Sequence, residues 1–190
     1  MKILQLAFAG ALALASFTGI ALAQSNDNLL TIELKDGPVV IELRPDIAPK
    51  HVQQIKELAA AGEYDNVAFH RVIQGFMAQT GDVQYGDMKE GFRPELAGTG
   101  GSSKPDLPAE FSNVPFERGT VGMARSQDPN SANSQFFIMF APGDFLNGQY
   151  TVVGKVVEGM ENVDKIKLGD EASNGAVTDP DRMISVKVGK

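Results

Sequence analysis

Phe69-His70-Arg71-Val72-Ile73-Gln74-Gly75-Phe76-Met77-Ala78-Gln79-Thr80-Gly81-Asp82 places one permanent cation, Arg71, in a strongly apolar run. An unpaired charge is costly in apolar surroundings, so Arg71 must reach water, find a partner or line a site. Gln74-Gly75 interrupts the strand-like pattern and predicts a bend or bulge. The bend would aim Phe76, Met77 and Gln79 at the same cleft as Arg71.

Working outward, Leu29–Leu34 and Pro38–Leu43 read as strands, with a hairpin turn at Lys35-Asp36-Gly37 between them. Asp46 is placed to cap a helix that runs to about Ala61, with Pro49 in its first turn and Gly62 at its end. Val52, Ile55, Leu58 and Ala59 recur at helical spacing. Further strands are predicted at Val67–Ile73, Phe76–Thr80, Gly119–Ala124, Ser134–Phe140, Thr151–Val157 and Arg182–Val188, with a short helix over Gly159–Lys167. Residues 83–118 form a long Gly- and Pro-rich irregular segment, the kind of loop that carries function in a compact domain. Many short strands and two helices indicate a mostly β protein built on an antiparallel sheet or barrel.

The chain has 190 residues, 43% hydrophobic and 22% charged, which suits one compact domain with a real core. Its formal charge is −7 and it has no Lys/Arg-rich run, so no nucleic acid partner is expected. Residues 1–23 are a separate element. A basic start at Lys2, an apolar stretch from Ile3 to Leu22 and the small-residue ending Ala21-Leu22-Ala23 predict a cleaved signal peptide. Residues 24–190 would then form a single periplasmic domain, with no membrane attachment after cleavage.

The absence of cysteine removes thiol nucleophiles, disulfides and cysteine metal sites. With two histidines, His51 and His70, a His-based metal centre or hydrolytic triad has little to work with. His51 is expected on the solvated helix surface, and His70 in a structural hydrogen bond. The acids are scattered, with no pair marked for acid–base work. Gly98-Thr99-Gly100-Gly101 lacks the strand and helix of a phosphate loop. It reads instead as backbone that turns sharply or approaches something closely. No cofactor or metal is expected.

Several segments far apart in sequence are rich in apolar and amide side chains. They are 71–79, Met123-Ala124-Arg125-Ser126, Asn133-Ser134-Gln135-Phe136-Phe137-Ile138-Met139 and Phe145-Leu146-Asn147-Gly148-Gln149-Tyr150. Together they resemble the cyclophilin family of peptidyl-prolyl cis-trans isomerases. The resemblance is carried by Phe69-His70-Arg71 with Gly75-Phe76-Met77-x-Gln79-x-Gly81-Asp82, by Ser134–Ile138, and by Phe145–Gly148 through Val153–Val156. It spans about Leu29 to Val188 and implies a closed eight-stranded antiparallel barrel capped by two α-helices.

Carried over position by position, the resemblance makes Arg71 the catalytic residue. Phe76, Met77, Phe137 and Leu146 would form a proline pocket. Gln79 and Gln135, with the backbone at Ala124 and Arg125, would hold the peptide. Phe145 and Tyr150 take the places of a tryptophan and a histidine common in the family and keep an aromatic wall. Arg125-Ser126 replaces a commoner Asn-Ala pair, and Val83–Leu96 is longer than in compact members. The implied partners are proline-containing unfolded or partly folded polypeptides, bound by a monomer. Two other classes compete: a holdase that grips proline segments without turnover, and a purely structural envelope protein.

Overall fold

The computed structural model describes residues 26–189. The expected signal peptide lies outside the described residues. Eight strands form one antiparallel sheet: β1 Leu29–Leu34, β2 Gly37–Leu43, β3 Arg71–Ile73, β4 Met77–Thr80, β5 Thr120–Met123, β6 Phe136–Met139, β7 Val152–Glu158 and β8 Ser185–Val188. Their spatial order is β3-β4-β6-β5-β7-β2-β1-β8. Two helices accompany them, α1 Pro49–Ala60 and the single-turn α2 Met160–Val163. The predicted helix over 159–167 shrinks to this turn.

The ladder has two ends, β3 and β8, and no ladder joins them among the described residues. An isolated bridge, Ala68 to Arg182, spans the gap. So do hydrogen bonds from Phe69 N to Asp181 O (2.8 Å) and from Met183 N to Val67 O (2.9 Å). The structure is therefore an open, curled sheet with stitched edges, where a closed barrel was expected. The same bonds explain why the strand predicted over Val67–Ile73 shortens to Arg71–Ile73. Residues 67–69 turn their backbone toward Gly86 and 181–183 instead of toward β4.

Alternation along the strands separates two apolar clusters. Val72, Ala78, Val121, Met123, Phe136 and Ile138 point into the curl, joining Leu30, Ile32, Ile41 and the buried face of α1 in the main core. Met77, Phe137 and Met139 point outward and pack with Phe116, Leu146 and Val152 in a second, smaller cluster. The functional cleft is built on that outer cluster.

The N-terminus of α1 corrects two expectations. Asp46 does not cap it; its carboxylate accepts from Arg44 at 2.7 and 2.8 Å, and the N-cap is Ala48, with no side-chain cap bond. The acceptor arrives from elsewhere in the chain. Glu110 accepts from Lys50 N and His51 N, both at 3.2 Å, and from His51 Nδ1 at 2.6 Å. His51 is accordingly fully buried and not solvated. Burial raises the Glu110 pKa, but the His51 ring and the two backbone N–H groups outweigh it and hold the carboxyl below its ordinary range.

His70 departs from expectation as well. It is 7% exposed, and neither ring nitrogen has a hydrogen-bond partner. Burial drives its pKa down to about 4, against the pull of nearby Asp82. Asp82 is itself buried and accepts from four backbone N–H groups. Two belong to its own turn, Gln84 and Tyr85, and two to the glycine loop, Gly98 (2.7 Å) and Gly100 (2.9 Å). A Cβ on Gly100 would lie 2.5 Å from Asp82 Oδ1, which explains the close backbone approach anticipated for that loop.

Two measurements check these assignments. Glu110→Ala should cost roughly 2–3 kcal/mol in urea unfolding, because it uncaps α1 and strands a buried imidazole. An unchanged midpoint would contradict the capping role. For His70, the unfolded side chain titrates near 6.5 and the folded one near about 4, so the unfolded chain takes up the proton first on acidification. The stability His70 contributes is complete above pH 6.5 and falls between 6.5 and 4, by on the order of 2–3 kcal/mol. His70→Gln should flatten that part of the stability–pH curve.

Candidate active site

The site follows from strand register. Arg71 pairs with Gln79, Gln79 with Phe137, and Phe137 with Gly122. Directly opposed residues of antiparallel strands share a face, so Arg71, Gln79 and Phe137 form a row on the outside of the sheet. One row along, Ile73, Met77 and Met139 are opposed in the same way. Gly75, at φ +70°, makes the turn that returns β4 beside β3, with Phe76 N donating to Ile73 O at 3.1 Å.

Gly122 ends the row and has no side chain for a definite reason. A Cβ there would sit 2.5 Å from Phe116 Cε1 and 2.6 Å from Phe137 Cζ. The two rings stack with centroids 5.7 Å apart. Phe137 also meets Tyr150 edge-on at 5.9 Å. A 3-10 turn at Asp144–Leu146 turns Leu146 inward and leaves Phe145 66% exposed at the rim, tilted against Phe76 at 5.4 Å. Asn147 Oδ1 secures this turn to the sheet by accepting from Phe116 N at 2.8 Å.

The result is a cleft of about 430 Å³. Ten of the eleven residues singled out in the sequence line it: Arg71, Phe76, Met77, Gln79, Ala124, Arg125, Phe137, Phe145, Leu146 and Tyr150. Gln135 lies just outside, lining an adjoining cleft of about 400 Å³ with Gln79, Ala124, Arg125 and the glycine loop. Sequence reasoning missed Gln149 in the lining and Asn174 beside Arg71.

Arg71 is half-buried and has no carboxylate partner among the described residues. Neutral acceptors hold it. Its Nε donates to Asn174 O (3.0 Å), Nη2 to Asn174 Oδ1 (3.1 Å) and Nη1 to Gln79 Oε1 (3.2 Å). Gln79 Nε2 then donates to Gln135 Oε1 at 2.9 Å, and Gln135 Nε2 to Gly100 O at 2.8 Å. This relay fixes the orientation of both amides. Burial lowers the Arg71 pKa from its ordinary value, opposed by Tyr150, yet a guanidinium stays protonated in a protein. The fork keeps two N–H groups free at the edge of an apolar pocket.

The cleft lining contains no carboxylate and no imidazole. Proton shuttling and nucleophilic attack therefore have no obvious agent there. The arrangement can grip a compact apolar group and direct a fixed positive charge and N–H donors at one atom beside it.

The chain is similar to known isomerases. Residues 29–188 match the family model described as cyclophilin type peptidyl-prolyl cis-trans isomerase/CLD. A probable peptidyl-prolyl cis-trans isomerase of Brucella suis is 63% identical over 185 residues, covering 94% of each chain. Peptidyl-prolyl cis-trans isomerase B of Escherichia coli is 38% identical over 148 residues, covering 73% of this chain and 84% of its own. Among solved structures, a Cryptosporidium parvum cyclophilin type peptidyl-prolyl cis-trans isomerase, determined in the presence of the dipeptide Ala-Pro, is similar with a TM-score of 0.71. It is 28% identical, and the match covers 85% of this chain and 99% of that one. A cyclophilin from Hirschia baltica is similar with a TM-score of 0.70 at 28% identity, over 86% and 74% of the two chains. The chain belongs to the cyclophilin-type peptidyl-prolyl cis-trans isomerases, and its activity is of that class.

The packing at the floor of the cleft gives a direct check. Gly122→Ala forces the Phe137 ring aside, because Phe116 is fully buried and Phe137 nearly so. It should cost about 1–3 kcal/mol of stability. It should also raise KM for a proline peptide several-fold. A melting temperature and a KM both equal to wild type would refute the packing account.

Proposed function

We propose that the protein isomerises X–Pro bonds in proline-containing, unfolded or partly folded exported polypeptides, with Arg71 as the catalytic residue. The observation that carries this reading is the fixed, acid-free guanidinium beside the apolar side chains Phe76, Met77, Phe137 and Leu146 in one cleft. Rotation about a peptide bond faces a barrier of roughly 18–20 kcal/mol, set by amide resonance. Uncatalysed X–Pro exchange takes on the order of tens to hundreds of seconds. The resonance needs the nitrogen lone pair.

Met77, Phe137 and Leu146 anchor the prolyl ring, while Gln79 and the adjoining backbone hold the chain around it. As the acyl side rotates, the nitrogen lone pair localises, and an Arg71 N–H donates to it. A planar amide nitrogen is a poor acceptor, so this hydrogen bond forms only near the twisted state. The interaction therefore lowers the barrier without tightening either ground state. No bond breaks and no proton is transferred, in keeping with a lining of amides, aromatics and cations.

The same proposal covers the setting. Residues 1–23 carry the basic, apolar and small-residue pattern of a signal peptide, so the working compartment is the periplasm. There the enzyme acts as a monomer with neither membrane anchor nor cofactor. The Ala-Pro dipeptide named with the Cryptosporidium relative supports the choice of ligand class.

Arg71→Ala should fold normally, since its partners are neutral and partly exposed, and lose roughly a hundredfold or more in kcat/KM on a short X–Pro peptide. Arg71→Lys should recover little, because a lysine lacks the planar fork that Asn174 and Gln79 hold. Near-wild-type turnover by the alanine variant would remove Arg71 from the mechanism.

A further inference from the structure

The chain carries a formal charge of −7, yet the ionised side chains lining the proline cleft are two arginines, Arg71 and Arg125. Arg125 is also the one charged residue lining the adjoining cleft, where its neighbours are Gln79, Ser126, Asn133 and Gln135. It stands on the wall shared by the two clefts.

Arg125 is held there firmly. Its guanidinium lies 4.4 Å from the centre of the Tyr150 ring. Nη1 donates to Ser126 O (2.8 Å) and Gln127 O (3.4 Å), and Nε and Nη2 donate to Gln149 O at 3.3 and 3.0 Å. Every acceptor is a neutral backbone carbonyl. Asp128 is near in sequence, but no carboxylate lies within 4 Å of the Arg125 guanidinium among the described residues. The Asp128 carboxylate instead accepts from Asn130 N at 2.8 Å. Four hydrogen bonds, with all three guanidinium nitrogens engaged, are more than a loop tether requires; a surface cation usually stays mobile and hydrated. Here the charge is immobilised, partly buried and without a carboxylate within 4 Å, and it lines the same cleft as a second cation in the same condition.

We propose that Arg125, with Arg71 lining the same cleft, selects polypeptides that carry an acidic side chain within two residues of the proline. The proposal rests on the reading that the cleft takes an X–Pro segment, and it adds the charge class of that segment. The clefts continue from the proline pocket past Arg125, so a carboxylate on a flanking residue reaches the positive wall while the proline stays seated. A lysine at the same place meets two fixed cations. Arg125 acts here on specificity and not on the twisted amide.

The test is a set of peptides with Glu, Gln or Lys at each of the two positions on either side of a single proline. Their cis–trans exchange is followed with the full-length protein at low and high salt. At one or more positions the order of kcat/KM should be Glu over Gln over Lys, with Glu exceeding Lys roughly tenfold at low ionic strength. The ratio should contract at 1 M salt, where the screening length is about 3 Å. It should fall to near one in Arg125→Gln and persist in Arg125→Lys, whatever either variant does to turnover of the Gln peptides. The wild-type salt dependence is a test that needs no variant to fold. Equal rates for Glu and Lys at every position, or a preference that Arg125→Gln leaves intact, would overturn the proposal. Turnover of the Gln peptides without charge order defeats only the selectivity; absence of that turnover defeats the isomerase reading beneath it.

Discussion

Everything in the site depends on a cation held without an anion. Arg71 is half-buried on the outer face of the sheet and bonded to Gln79 and Asn174, both neutral. A carboxylate partner would have been the ordinary solution for a charge in that position, since paired charges are the usual buried ones. It would also have absorbed the guanidinium's N–H groups and much of its field. Amide and carbonyl acceptors orient the fork and leave its charge available. The relay through Gln79 and Gln135 to Gly100 then couples the orientation of Arg71 to the glycine loop, which Asp82 holds from below.

The fold supplies this geometry at modest expense. The inward rows of β3, β4, β5 and β6 are committed to the core, so the outward rows are free to specialise. Fixing Arg71 opposite Gln79 and Gln79 opposite Phe137 is a matter of register, and a one-residue slip would send all three into the core. The bulge between Val121 and Gly122 and the missing side chain at Gly122 make room for Phe137 to lie flat against Phe116.

Much of this was legible in the sequence. Apolar runs bounded by turn signals located all eight strands, and Lys35-Asp36-Gly37 marked the first hairpin. The bend at Gln74-Gly75 placed Phe76, Met77 and Gln79 with Arg71. What local pattern could not supply was anything decided by distant contacts. Glu110 caps α1 from 59 and 60 residues away, so Asp46 looked like the cap and His51 like a surface residue. His70, facing away from Phe69 and Arg71, was expected in a structural hydrogen bond, and here its two ring nitrogens have no partner. Asn174 reaches Arg71 across 103 residues. Its one local signal was the Asn174-Gly175 turn pair, which marks a loop and not a site.

The central claim is that Arg71 stabilises the twisted amide more than the planar one, and the most direct test separates binding from turnover in a single sample. NMR exchange spectroscopy on a short Ala-Pro peptide gives the cis–trans rate at the enzyme, and chemical-shift titration gives the affinity. For Arg71→Ala we predict an affinity within a few-fold of wild type and an exchange rate lower by roughly two orders of magnitude. Loss of affinity and rate in equal proportion, or an exchange rate that survives the substitution, would contradict the account.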